Sequence, residues 1–377
     1  MNRVGRDDGL FRAAIGESGF GVRIPRGSPG GLNSTIADQK LFDRLVQNTS
    51  CAATVGTSDA IPCLRHVPFE EINHAVNVTG IGPWAPVMDG DFIQDYPTNQ
   101  FRDGRFVQVP ILIGSNSDEG AYFRGIKGNA NVDILNTDDD FRAMIAPMFD
   151  NNDNVTALTG KTVNQLLEEL MLVYPNIQSV GIPSLDSWPL VIDQNTPDLQ
   201  YLGLQDRRGN SFAGDYLNIA SRRSSSIYWS EHGIPNWSYR FDATPDGITP
   251  NVSSQHFAEV SLIWLWMIIA NNMLTNFKVA YVFNDILGEG YRLKPLVSEE
   301  NQRLAKQVSS AWINMISNLN PNGAEVDPEW PIYNTTVGGG AGQNLVFSTK
   351  GSFVEYDDFR AEALGWWHKH FLDVMGT

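Results

Sequence analysis

The sequence predicts an α/β protein built on a mostly parallel sheet flanked by helices, and three observations predict it. The first is a run rich in β-branched residues, Val109, Ile111, Leu112 and Ile113, closed by Gly114 and followed by the polar Ser115-Asn116-Ser117. This pattern reads as a buried parallel strand entering a loop at its carboxyl end. The second is another strand, expected within Gly233 to Asp242. The third is the amphipathic helices between and after them. Val163, Leu166, Leu167, Leu170 and Met171 form one stripe; Leu304, Val308, Ala311, Trp312, Met315 and Ile316 form another. Open α/β sheets place their chemistry at the carboxyl ends of their strands. Asp118 and Glu119 fall at such an end, with Gly120 expected to relieve the backbone in a sharp turn. An acidic pair in a loop is in itself more often a solvated turn than a catalytic carboxylate.

Taken from the N-terminus, Gly16-Glu17-Ser18-Gly19 comes close to the nucleophile elbow G-x-S-x-G, but Phe20 stands at the fifth position. An elbow also needs a strand, a tight turn and a helix. Residues 19–31 instead contain Pro25, Gly27, Pro29 and Gly30 and no helical pattern, so Ser18 is expected to be a strand-end serine. Helices are expected at 38–47, 68–75, 139–146, 211–229 and 298–318. A hairpin is expected from 345–348 and 352–356, then a last helix at 359–374. The apolar run Val260 to Ala270 is shorter than the ~18–20 residues of a membrane span and reads as a buried helix. His66, His74 and His232 read as packing or surface residues. His368 and His370, two apart on a helix, point away from each other and make a poor metal pair. His256, in a polar loop ahead of the apolar run, reads in isolation as a cap or surface residue.

Composition bounds the function. The 377 residues suit one large domain or two ordinary ones, and 42% hydrophobic content is ample for a core. A net charge of −16 argues against nucleic acid and against anionic membrane surfaces as partners. The sequence has no repeats, no phosphate-cradling glycine loop and no zinc-type spacing, so neither cofactor nor metal is expected. Cys51 and Cys63 are the only cysteines; on their own they prove nothing, and in a cytosolic protein the default reading is two inert thiols. Seven Asn-x-Ser/Thr sequons, at Asn33, Asn48, Asn77, Asn154, Asn236, Asn251 and Asn334, favour a secreted glycoprotein. The N-terminal MNRVGRDDGLFR has no apolar signal core.

Trp84 to Phe123 then narrows the choice. It contains Pro86-Val87-Met88-Asp89-Gly90-Asp91-Phe92, Gly104-Arg105-Phe106, Val109 to Gly114 and Asn116 to Gly120, with Pro97 in the spacer. In order and spacing this resembles the type-B carboxylesterases, the α/β-hydrolase family of fungal lipases and cholinesterases. Asp7 to Gly19 resembles the same family's D-G-L-F-x-x-A-I run. The resemblance implies one α/β-hydrolase domain over residues 1–377. Glu119 would be the triad acid and His256 the triad base, in the acid-then-His order of that fold. Ser254-Gln255-His256-Phe257-Ala258-Glu259 keeps the His and Glu of the family's Gly-x-His-Gly-x-Glu and loses its glycines. A Cys51–Cys63 disulfide is implied as well.

The chain resembles only the C-terminal two-thirds of the family. First strands, oxyanion glycines, nucleophile elbow and signal peptide are expected upstream of Met1. The function implied is a secreted carboxylic ester hydrolase of the Ser-His-Glu type, acting on a small-molecule or lipid ester. The chain as given would lack its nucleophile and be inactive. The alternatives are a non-catalytic cholinesterase-like binding or adhesion protein of the same fold, and an unrelated α/β enzyme using Ser18. Keeping both Glu119 and His256 favours the hydrolase, since a binding protein needs neither.

Overall fold

The structure, a computed structural model, describes residues 5–21, 35–78, 88, 90–123, 134–149, 155–197, 199–246, 248, 250–251, 253–256, 258, 281–287 and 296–375. Among the described residues its centre is a five-stranded sheet in which neighbours follow sequence order. The strands are β1 (Ala14–Glu17), β2 (Ile111–Asn116), β3 (Asn236–Phe241), β4 (Gln343–Phe347) and β5 (Phe353–Tyr356). The first four pair in parallel and β5 closes the edge antiparallel to β4. A mostly parallel sheet flanked by helices is what the sequence predicts.

Every residue of β2 is buried, as a strand covered on both faces requires. Alternation along the strand divides the core. Ile111 and Ile113 pack with Phe101, Phe106 and Trp229, while Leu112 packs with Trp237, Tyr239 and Phe347 on the other side. One expectation is corrected here: Gly114 does not end the strand, and Ser115 and Asn116 belong to it rather than to a turn. The glycine serves the opposite purpose, because a Cβ there would lie 2.1 Å from Cδ1 of Tyr239. Gly114 lets the strand continue beneath an aromatic ring.

The Glu299–Asn318 helix starts where Ser298 Oγ accepts from the Asn301 amide, and it stops at Leu319 in the left-handed region. Leu304, Val308, Trp312 and Met315 are buried as read, but Ile316 is 62% exposed. The expected helix at 211–229 begins earlier, at Asp206. It runs as an α-helix to Gly214, a π-turn over Asp215–Ile219 and a second α-helix over Ala220–Glu231. Although polar in sequence, almost all of it is buried, including Arg222, Arg223 and Ser224 to Ser226. Its charge is answered by Asp357, which receives bonds from Arg222 Nη2 (2.9 Å), Arg223 Nη2 (2.9 Å), Asn344 Nδ2 (2.9 Å) and the Tyr333 hydroxyl (3.0 Å). The arginines hold the Asp357 carboxyl far below the usual carboxylate range, against the upward push of burial.

Cys51 and Cys63 form a disulfide. The His232 ring bonds the Phe101 carbonyl at 2.8 Å, and His368 Nδ1 meets Ser224 Oγ at 3.0 Å, so both have packing roles. Among the sequons, Asn48, Asn77 and Asn334 are exposed and Asn251 is half-buried. Asn236 is corrected: it is fully buried in β3 and has no room for a glycan in this fold. Asn33, Asn154, Asp89 and the expected apolar helix at 260–270 lie outside the described residues. Among the described residues no helix is long and apolar enough to cross a membrane.

Candidate active site

The carboxyl ends of β1, β2 and β3 converge on one carboxylate. The turn after β2 carries Glu119 into a short 3₁₀ helix, Glu119–Phe123, and its side chain is fully buried. Among the described residues four donors meet it. The Asn116 amide (2.7 Å) and Ser18 Oγ (2.5 Å) donate to Oε1, while Asn218 Nδ2 (2.8 Å) and His256 Nδ1 (2.5 Å) donate to Oε2. A buried carboxylate surrounded by donors is held ionised. Burial alone would raise the Glu119 carboxyl; His256 and the bonds from Ser18 and Asn116 outweigh it and bring it below the usual range.

Each group reaches this point for a local reason. Ser18 follows β1 directly, with its amide on the Gly114 carbonyl at 3.0 Å and a left-handed φ of 50° that turns its hydroxyl toward Glu119. It is a strand-end serine, as read, yet its bond to the acid carries no sequence signal. Gly120 is needed for a reason other than turn geometry: a Cβ there would lie 1.8 Å from the Asn210 carbonyl oxygen, on the Asp206–Gly214 helix. Gly214 meets it from the other side, its own Cβ position 2.8 Å from the Gly120 amide. This glycine-to-backbone contact brings the π-turn, and so Asn218, against Glu119.

His256 comes from the segment after β3, 137 positions from Glu119, and its side chain is 12% exposed. Asp118 docks that segment. Its amide donates to the Ser254 carbonyl at 3.0 Å, and its Oδ2 accepts from the Ser254 amide at 3.1 Å. The Asn116 side chain adds a 2.6 Å bond to the Gln255 carbonyl, and Ser254 Oγ donates to the Phe241 carbonyl at 2.7 Å. Of the two acidic residues, then, Glu119 faces the imidazole and Asp118 clasps its loop. Burial, helped by Asp242, pushes the Asp118 carboxyl up to about 7.

With its Nδ1–H bonded to Glu119, the His256 ring keeps Nε2 as its basic nitrogen. That is a buried carboxylate hydrogen-bonded to a mostly buried imidazole at the carboxyl ends of a parallel sheet. Compared with known proteins, residues 4–342 match the model of the carboxylesterase family. The chain belongs to the carboxylesterase family. It is similar to Lipase 5 of Diutina rugosa, 24% identical over 362 residues, covering 93% of this chain and 52% of that one. Secreted lipase 1 of Botryotinia fuckeliana is likewise 24% identical, over 93% of this chain and 51% of its own. Cholinesterase 2 of Branchiostoma lanceolatum is 32% identical over 117 residues, 30% of this chain and 33% of its own. The crystal structure of Aspergillus niger EstA shares the fold with a TM-score of 0.62 at 20% identity, over 99% of this chain and 61% of that chain.

The carboxylesterase match therefore runs through nearly all of this chain, while the chain spans about half the length of the two lipases. The expected restriction to the C-terminal two-thirds of the family is not supported by this match, which covers residues 4–342.

Proposed function

We propose that Glu119 and His256 are the acid and base of a Ser-His-Glu carboxylic ester hydrolase. The observation that supports this best is the 2.5 Å bond between Glu119 Oε2 and His256 Nδ1. In the reaction, His256 Nε2 takes the proton of a serine hydroxyl as that oxygen attacks an ester carbonyl, then returns it to the leaving alcohol. Glu119 holds the ring's tautomer and stabilises the imidazolium. Ser18 is not the nucleophile on this reading, because its hydroxyl donates to the acid's other oxygen. The attacking serine lies outside the site described above, and the donors that would hold the oxyanion come with it. Small-molecule or lipid esters are the substrate class. Secretion fits the cysteine bridge, the exposed sequons and the similarity to a secreted lipase. The binding-protein alternative is disfavoured because it has no use for a buried carboxylate hydrogen-bonded to an imidazole.

The test is hydrolysis of a short chromogenic ester by the 377-residue chain and by the longest polypeptide its source expresses, each with Ser18→Ala, Glu119→Gln and His256→Ala variants. The short chain is expected to show no His256-dependent turnover. In the long form, His256→Ala should abolish turnover, Glu119→Gln should lower it by about 10⁴ through loss of the productive tautomer, and Ser18→Ala should leave it measurable. Turnover of the short chain that vanishes in Ser18→Ala would overturn the exclusion of Ser18. A long form that hydrolyses no ester would favour the binding-protein alternative.

A further inference from the structure

We propose that Asn218 is a positioning residue for this pair, its amide sharing the Glu119 oxygen used by His256 and restraining how strongly the carboxylate holds the imidazole proton. The inference rests on the reading of Glu119 and His256 as acid and base. The geometry is a compact triangle. Asn218 Nδ2 lies 2.8 Å from Glu119 Oε2 and 3.2 Å from His256 Nδ1, which itself lies 2.5 Å from the same oxygen. The amide nitrogen, rather than its oxygen, must face Oε2, since two acceptors at that separation would repel. With two donors on one oxygen, each takes part of its negative charge. The Asn218 bond therefore weakens the carboxylate's pull on the imidazolium proton and places the positive end of an amide dipole beside the ring. Both effects favour the neutral ring, the form a general base must have at neutral pH.

The fold holds Asn218 in place rigidly. It lies in the π-turn Asp215–Ile219, and π-turns inside α-helices gather at functional sites. Three residues earlier, Asp215 receives both Arg360 Nη2 (2.6 Å) and Nε (2.9 Å), together with the Tyr174 hydroxyl (3.0 Å). Just before the turn, Gly214 abuts Gly120. The turn is thus fixed at its start, and Asn218, 1% exposed, has nowhere else to go. Among the described residues, the charged groups nearby include Asp118 on the β2 turn, Arg240 and Asp242 at the end of β3, and Asp215 with Arg360 across the π-turn.

The experiment is an NMR titration of the His256 ring in the 377-residue protein, ¹⁵N-labelled at histidine, comparing the parent with Asn218→Ala, Asn218→Asp and Glu119→Gln. The His256 pKa should rise by about one pH unit in Asn218→Ala. It should rise further in Asn218→Asp, which keeps the shape and replaces the donor with a charge. In Glu119→Gln it should fall. Unchanged or lower values in both Asn218 variants, with a fall in Glu119→Gln, would overturn the role of Asn218 and leave the acid–base pair standing. No change in Glu119→Gln would overturn the pair itself. If Asn218→Ala fails to fold, the near-isosteric Asn218→Asp carries the test alone, and an unchanged His256 there refutes the proposal.

Discussion

Asp118 and Glu119 are adjacent, both acidic and both buried, yet they respond to pH in opposite directions. Glu119 is surrounded by donors and held ionised; Asp118 is buried beside Asp242 and pushed up to about 7. An ordinary Asp loses its proton near pH 4. Between about pH 4 and 7 the unfolded chain has therefore released the Asp118 proton while the folded chain retains it, so stability falls as pH rises through that window. Glu119 and Asp357, whose carboxyls are lowered, contribute stability that is lost only below the ordinary carboxylate range. Asp118→Asn keeps an acceptor for the Ser254 amide and removes the charge. Urea melts should show the variant more stable than the parent by up to a few kcal/mol at pH 8 and equal to it below pH 4. Equal stability at both pH values would contradict the assignment. At this scale the sequence was partly legible. The family motif distinguished Glu119 from Asp118, but the residues alone could not, because nothing local says which carboxylate turns toward a histidine 137 positions away.

Among the elements, the polar Asp206–Glu231 run was the hardest to read and matters most to the site. Its α-π-α course has no apolar stripe to reveal it. Two of its buried arginines, Arg222 and Arg223, make sense only once Asp357, from beyond β5, is seen beneath them. Arg222→Met should cost ~3–5 kcal/mol in chemical denaturation, because it leaves Asp357 buried with one arginine fewer. Pairing it with Asp357→Asn should cost less than the sum of the two single changes. A fully additive pair would show that the network is not one unit. Gly120→Ala should destabilise by at least ~1–3 kcal/mol, since the new methyl meets the Asn210 carbonyl rather than a side chain able to move. A neutral outcome would mean that the Asp206–Gly214 helix can yield there. For the Cys51–Cys63 loop of sequence separation 12, replacing both cysteines with serine should cost about 3 kcal/mol. The Glu299–Asn318 helix is visible in the sequence by its apolar stripe of helical period, whereas β2, buried at every residue, is visible as a continuous β-branched run. The end of β2 is hidden in the sequence because Gly114 resembles punctuation; its real partner, Tyr239, lies on another strand.

At the scale of the whole molecule, the parallel sheet gathers at its strand ends residues that the sequence scatters. Ser18 follows β1, Asn116 to Glu119 end and follow β2, and Ser254 to His256 follow β3. The two faces divide the core between them, so the hydrophobic framework and the polar centre are specified separately. Fold class was legible from a buried β-branched run, a second strand and amphipathic helix stripes, and family from a stretch of about forty residues. The convergence of Ser18 and Asn218 on Glu119 was not, since it depends on register and on a π-turn with no signature of its own. The central claim is that Glu119 and His256 form one hydrogen-bonded acid–base unit. It is tested most directly by the low-field proton NMR spectrum, where an imidazole Nδ1–H held by a carboxylate resonates well downfield of the amide envelope. Such a resonance, linked to the His256 ring, is expected to survive Ser18→Ala and to disappear in Glu119→Gln; a His256 ring without it, or one that keeps it in Glu119→Gln, would refute the pairing.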